Sequence, residues 1–161
     1  MVSTSSSGGN ALEGWSLTNA PYTTRLSISI LGKSPEKLFE ISLTYDIVAY
    51  LSTNSRCTYN IQGNYFFVYI NNENPNGVII HELMHFYTWH AFYKEITQNG
   101  VSKEKYNDIK ESLTELINTD FQYLLGTYYD KGYPQHLKIR ERINKLHKGG
   151  KNIKDIIREM Y

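Results

Sequence analysis

Apolar and polar positions along the chain first alternate with a period of two. Over Arg25 to Leu31 (RLSISIL), Leu26, Ile28 and Ile30 share one face, which predicts a strand. The period then lengthens. Ser34 before Pro35 reads as a helix N-cap with proline at the first helical position, and Leu38, Ile41, Tyr45 and Val48 recur at helical spacing, so a helix is expected over 35–52. Cys57–Gln62 and Tyr65–Asn71 are rich in aromatic and β-branched residues and flank Gly63-Asn64, a pair suited to a two-residue turn, which predicts an antiparallel hairpin. Asn74-Pro75 repeats the cap-plus-proline signal and Asn99-Gly100 is the next stop, placing a helix over 75–97. Ser102 caps another helix expected to run to Gly126, with Tyr106, Ile109, Leu113, Leu116, Ile117 and Leu124 along one stripe. Asp130 to Pro134 (DKGYP) reads as a turn, and two short basic helices, 135–147 and 152–160, flank Gly149-Gly150. Strands gather early and helices late, which predicts an α+β fold with a small antiparallel or mixed sheet packed on the helices.

Composition narrows this picture. At 161 residues the chain suits one domain, expected over 21–161 behind a small, polar leader over 1–20 that has no apolar signal-like core. Seventeen basic side chains nearly cancel sixteen acidic ones, so no broad field draws nucleic acid or an anionic membrane. No apolar run approaches the roughly 20 residues that cross a bilayer. A soluble, cytoplasmic protein is the expectation. The single cysteine, Cys57, excludes an intramolecular disulfide and a multi-cysteine metal cluster, and reads as a half-buried thiol. Fourteen tyrosines supply apolar rings with polar tips, which suit half-wet clefts.

The chemistry concentrates in VIIHELMHFYTWH, Val78 to His90. On a helix, His81 and His85 are four apart and share a face, so each can aim one imidazole nitrogen at a single ion. HELMH is an HExxH pattern: the two imidazoles hold Zn²⁺, and Glu82 sits where it can take a proton from a water at the metal. The apolar neighbours Val78, Ile79, Ile80, Leu83, Met84 and Phe86 would bury this helix, and buried ionisable groups are costly unless paired or ligating. A metal supplies the compensation.

For the third ligand, the arrangement with a histidine ten residues after the first and a glycine three before it is excluded, because Ala91 and Thr88 stand there. His90 lies about 140° around the helix from His85 and is assigned a structural or interfacial role. The next helix offers Glu111 and Glu115 in KESLTELIN, and an antiparallel helix pair would bring either one back to the histidines. With HELMH on one helix and a glutamate on the following one, the chain resembles the gluzincins, zinc metallopeptidases of thermolysin-like type. It is also similar to small bacterial proteins that read KE-x-LT, then LN, then GYP-x-H-x-x-[LI]R, a likeness that covers Val78 to Arg140.

The resemblance implies Glu111 as the ligand, with Thr114 and Asn118 on its side of the helix as hydrogen-bond partners of the site. Glu115 is the rival, placed on a side with Asp108 that reads as a solvated face. The resemblance also implies that Tyr65–Asn71 is an edge strand binding extended substrate. The resemblance departs from the larger gluzincins in one respect: no counterpart of their separate C-terminal helical domain is expected within these 161 residues. After the turn, His136 or Tyr133 is a candidate donor to the carbonyl oxygen that gains charge during amide hydrolysis, while His147 and the lysines near it read as a solvated face. The resulting expectation is a zinc-dependent peptidase acting on peptides or proteins: His81, His85 and Glu111 on the metal, Glu82 as general base. The alternative is a catalytically inactive zinc-containing module that binds a peptide or protein.

Overall fold

A computed structural model describes residues 34–161, together with the backbone of two earlier strands. Those strands, β1 (Ser16–Ala20) and β2 (Thr23–Ser27), pair antiparallel. The expected strand over 25–31 therefore coincides with β2 up to Ser27, and its remainder, with the leader, lies outside the described residues.

The expected helix over 35–52 is corrected. Helix α1 (Pro35–Phe39) starts as predicted, with the Ser34 hydroxyl accepting from the Lys37 N–H, but ends where Glu40 adopts a left-handed φ of 55°. The Ile41 N–H then closes back on the Glu36 carbonyl, completing a helix stop. Val48–Ser52 is instead strand β3, antiparallel to β2 on one side and parallel to a later strand on the other. A local helical period lost to hydrogen bonding on both flanks of a β-branched and aromatic segment.

The hairpin forms in shortened shape. Strand β4 (Tyr59–Asn60) pairs antiparallel with β5 (Tyr65–Tyr69), with four residues between them and Asn64 at φ 54°. The sheet order is β1-β2-β3-β5-β4, a mixed sheet. Strand β5 therefore lies in mid-sheet between β3 and β4, which overturns its expected place as an edge. The two-residue β4 forms that edge.

On β5 the alternation is clean: Phe66 and Val68 are buried, and Tyr65, Phe67 and Tyr69 are half-buried on the other face. Phe66 and Ala49 face helix α2 (Pro75–Gln98), where Phe66 meets Phe86 with ring centroids 6.2 Å apart. Asn74 caps α2 by accepting from the Gly77 N–H, and Pro75 fills its first turn. Ile79, Ile80, Leu83, Met84, Phe86, Tyr87 and Phe92 bury most of its circumference, so α2 is the central element.

Helix α3 (Lys103–Leu113) returns along α2 after a turn with Gly100 at φ 77°, and its Ser102 cap is as expected. The expected single helix to Gly126 is broken. Thr114–Leu116 tightens to 3-10, α4 (Ile117–Asp120) and α5 (Gln122–Leu125) follow, Phe121 interrupts at φ −122°, and Gly126 ends the run. Helix α6 (Leu137–Lys148), entered through a 3-10 turn at Pro134–His136, packs on α3, and α7 (Ile153–Arg158) packs on α6. Among the described residues no helix is long and apolar enough to cross a membrane.

A buried ion cluster joins these helices. Arg140 on α6, 2% exposed, reaches the carboxylates of Glu115 (2.9 Å) and Asp130 (3.1 Å), the Thr114 hydroxyl and the Asp130 carbonyl. Gly132, at φ 60°, lies under the guanidinium, where a Cβ would come within 2.6 Å of it. Removing one partner of a buried ion pair leaves the other charge uncompensated. Arg140→Met is therefore expected to lower stability by about 3–5 kcal/mol, seen as a lower urea midpoint at unchanged slope.

Candidate metal centre

His81 and His85 stand one turn apart on α2, with ring centroids 4.6 Å apart and planes at 80°. His85 is buried and His81 opens to a cleft. Glu111, on the returning α3, brings its Oε2 to 3.8 Å from His81 Nε2 and its Oε1 to 3.4 Å from His85 Nε2. One potential ligand atom from each of the three residues lies within 4.8 Å of the others. Ligand atoms on a tetrahedral zinc with bonds of about 2.1 Å sit about 3.4 Å apart. The donor set and its spacing fit such an ion.

The surroundings fix each donor. Asp130 Oδ2 lies 2.8 Å from His81 Nδ1. An imidazole that donates from Nδ1 keeps its Nε2 lone pair free for a metal, so this contact selects the ligating tautomer. Asp130 is itself held by Arg140, by the Gly132 N–H, and by Asn118, which bonds both its backbone N–H (2.8 Å) and its carbonyl (2.9 Å). Glu111 Oε1 is also 2.9 Å from the Lys110 ammonium, a buried cation that reaches the Tyr59 hydroxyl on β4. The Tyr59 ring packs against His85 at 5.2 Å.

Compared with models of protein families, with curated proteins and with solved structures, this chain matches none.

Glu82 is 6% exposed, and its Oε2 has no hydrogen-bond partner among the described residues. Burial, with the Glu111 charge adding to it, pushes the Glu82 carboxyl up to about 7 against the opposing pull of His81. Burial alone would lower His81, but its contacts with Asp130 and Glu111 outweigh that and raise it to about 9 in the metal-free protein. Burial holds His85 well below the usual imidazole range, in the neutral form that a metal requires. Glu111 stays ionised despite its burial, because its contacts with His81 and with the Lys110 ammonium hold it below the ordinary carboxylate range.

The other candidates separate. Glu115, expected on a solvated face, is 4% exposed and is held by Arg140, Tyr129 and Asn144, away from the histidine pair. The tightened 3-10 turn and the arginine on α6 claim it. Thr114 and Asn118 serve the ion cluster and Asp130, and Thr114 donates to the Glu111 carbonyl. His136 is buried and paired with Asp108 at 3.1 Å, and it does not join the metal cluster. Tyr133 is 53% exposed and lines a cleft of about 590 Å³ with His81, Tyr128, Tyr129 and Asp130. His90 is exposed and meets Tyr45. His147 is not simply solvated: it pairs with the buried Asp120 at 2.9 Å.

Sequence reasoning missed Asp130, Lys110 and Tyr59 as parts of this site. Asp130 also accepts from the Gly132 N–H, which is ordinary turn chemistry and hides the second role. Lys110 sits beside Ile109 and ahead of Leu113 on the apolar stripe, the one local sign that it is buried.

Two outcomes are expected. Asp130→Asn should weaken zinc affinity about 10–100-fold in competition with a chromophoric chelator. The folded value for Glu82 lies above its unfolded one, so its contribution to stability is full below about pH 4.5 and is lost as pH rises through about 7. In chelator-treated protein, the stability advantage of Glu82→Gln over wild type should therefore grow between pH 5 and pH 8 by on the order of 2–3 kcal/mol, measured by urea unfolding at each pH.

Proposed function

We propose that this protein is a zinc-dependent peptidase of gluzincin type, with His81, His85 and Glu111 as metal ligands and Glu82 as general base. The observation that carries this reading is the convergence of two Nε2 atoms and the Glu111 carboxylate beside a buried carboxylate with an unpartnered oxygen. A purely structural metal site has no need of Glu82 between its two histidines.

Zinc bound by these three side chains would supply Lewis acidity, polarising a carbonyl and making a water ionisable near neutral pH. The residues do the rest. Glu82, buried directly after the first of the two histidines, takes a proton from the attacking water and delivers it to the leaving amine. Asp130 holds His81 in its ligating tautomer, and Arg140 and Asn118 hold Asp130. The Lys110 ammonium, 2.9 Å from Glu111 Oε1, helps keep Glu111 ionised. The cleft walled by His81, Tyr128, Tyr129 and Tyr133 gives substrate access from one side and offers apolar ring faces to it. Peptides or proteins are the substrate class proposed. With β5 in mid-sheet, any backbone pairing with an extended peptide falls to the free edge of β4.

Zinc content and cleavage of a mixed peptide library, wild type against Glu82→Gln, test this. The variant is expected to bind zinc as wild type does and to lose turnover by about 10²–10⁴-fold. Zinc bound with no cleavage by either form would instead favour a peptide- or protein-binding module. An undiminished rate in Glu82→Gln would refute the role given to that residue.

A further inference from the structure

We propose that Tyr59, with Lys110 behind it, is the catalytic donor that steadies the carbonyl oxygen of the scissile amide as it becomes an anion. This rests on the peptidase reading and gives Tyr59 the role for which His136 and Tyr133 were the expected candidates.

Geometry makes the case. Tyr59 stands on β4, an edge strand, with its ring 5.2 Å from that of His85 and 6.3 Å from that of Phe86. Its hydroxyl contacts the Lys110 ammonium, which in turn lies 2.9 Å from the ligand oxygen Glu111 Oε1. The hydroxyl is therefore within two short contacts of the metal position. Exposure divides the pair: Lys110 is 5% exposed, so it stays behind, whereas Tyr59 is 37% exposed and can meet a substrate.

The direction of the hydrogen bond matters as much as the position. An ammonium has three donors and no acceptor, so Lys110 donates and the phenol oxygen accepts. The phenol's own proton is then left to donate, and the adjoining cation makes it a stronger donor. The Lys110 charge also lies 4.8 Å from the centroid of the Tyr59 ring, which holds that ring in place. His136 is buried with its Nε2 on Asp108, and Tyr133 is 53% exposed in the 127–133 segment.

In the step itself, the water oxygen forms a bond to the carbonyl carbon and the π pair moves onto the carbonyl oxygen. Glu82 receives the water proton, and the Tyr59 O–H donates a hydrogen bond to the new anion without transferring its proton. Collapse restores the carbonyl, breaks the C–N bond, and the amine leaves with the proton from Glu82.

The test uses zinc-loaded wild type, Tyr59→Phe and Lys110→Met, with zinc affinity and urea midpoint measured alongside. Calorimetry with a phosphinic dipeptide, whose tetrahedral anion mimics the charged oxygen, is expected to show binding weakened about 10–100-fold in Tyr59→Phe at unchanged zinc affinity and stability. Turnover of the peptide library should fall about 10²–10³-fold, in kcat rather than KM. Lys110→Met should fall part of the way on both measures, and the conservative Tyr59→Phe decides the matter if that variant does not fold. Equal phosphinic binding by wild type and Tyr59→Phe, or none by wild type, overturns the proposal. The calorimetric comparison needs no turnover, so it separates failure of Tyr59 from failure of the peptidase reading, which Glu82→Gln tests.

Discussion

A helix buried on most of its circumference can carry ionisable side chains only where a neighbouring element brings charge to meet them, and the contact between α2 and α3 meets that condition. His85 and Glu82 lie among Met84, Phe86 and Phe66, where desolvation penalises every charged form. Helix α3 brings Glu111 to the histidines and Lys110 to Glu111. The same burial sets the chemistry. It keeps His85 neutral, the form in which an imidazole can bind a metal, and raises the proton affinity of Glu82 in the metal-free protein.

From this contact a line of buried polar interactions runs outward, from His81 to Asp130, to Arg140, and on to Glu115. It explains how an irregular segment can hold the His81 ring in position. The 126–136 segment is short of regular structure and turns at Gly126 and Gly132, yet Asn118 grips the Asp130 backbone at both ends and Arg140 closes over Gly132. Buried ion pairs of this sort contribute little net stability but are costly to break, and they admit few alternative arrangements. The C-terminal helix α6 is thereby tied to the geometry of the candidate metal centre: it supplies the guanidinium.

The sheet contributes from the opposite side. Because Val48–Ser52 joins as β3, β5 is pushed to mid-sheet, where Phe66 and Val68 press on α2, and the short β4 is left at the rim with Tyr59 against His85. A strand of two residues presents little open edge for unwanted pairing. It is enough to place one ring.

Local interactions explain what could be read directly from the chain. The span of α2, the Asn74 and Ser102 caps, the Tyr65 hairpin strand and the pairing of His81 with His85 all depend on residues within a few positions of one another, where spacing and capping chemistry decide the outcome. That Glu111 or Glu115 would return to the histidines was legible too, because a short turn after α2 brings α3 back alongside it; only the resemblance singled out Glu111. Tertiary structure decided the rest. Leu38, Ile41, Tyr45 and Val48 carry a helical period, but strands on both flanks of Val48–Ser52 offered hydrogen bonds that no local pattern reveals. Glu111 and Glu115 are chemically alike and four residues apart, and an arginine 25 residues beyond Glu115 pairs with Glu115, leaving Glu111 beside the histidines. Asp130, Lys110 and Tyr59 reach the metal centre across separations of 20 residues or more from the histidines they serve, and only the folded chain, by making burial and charge compensation coincide, brings them there.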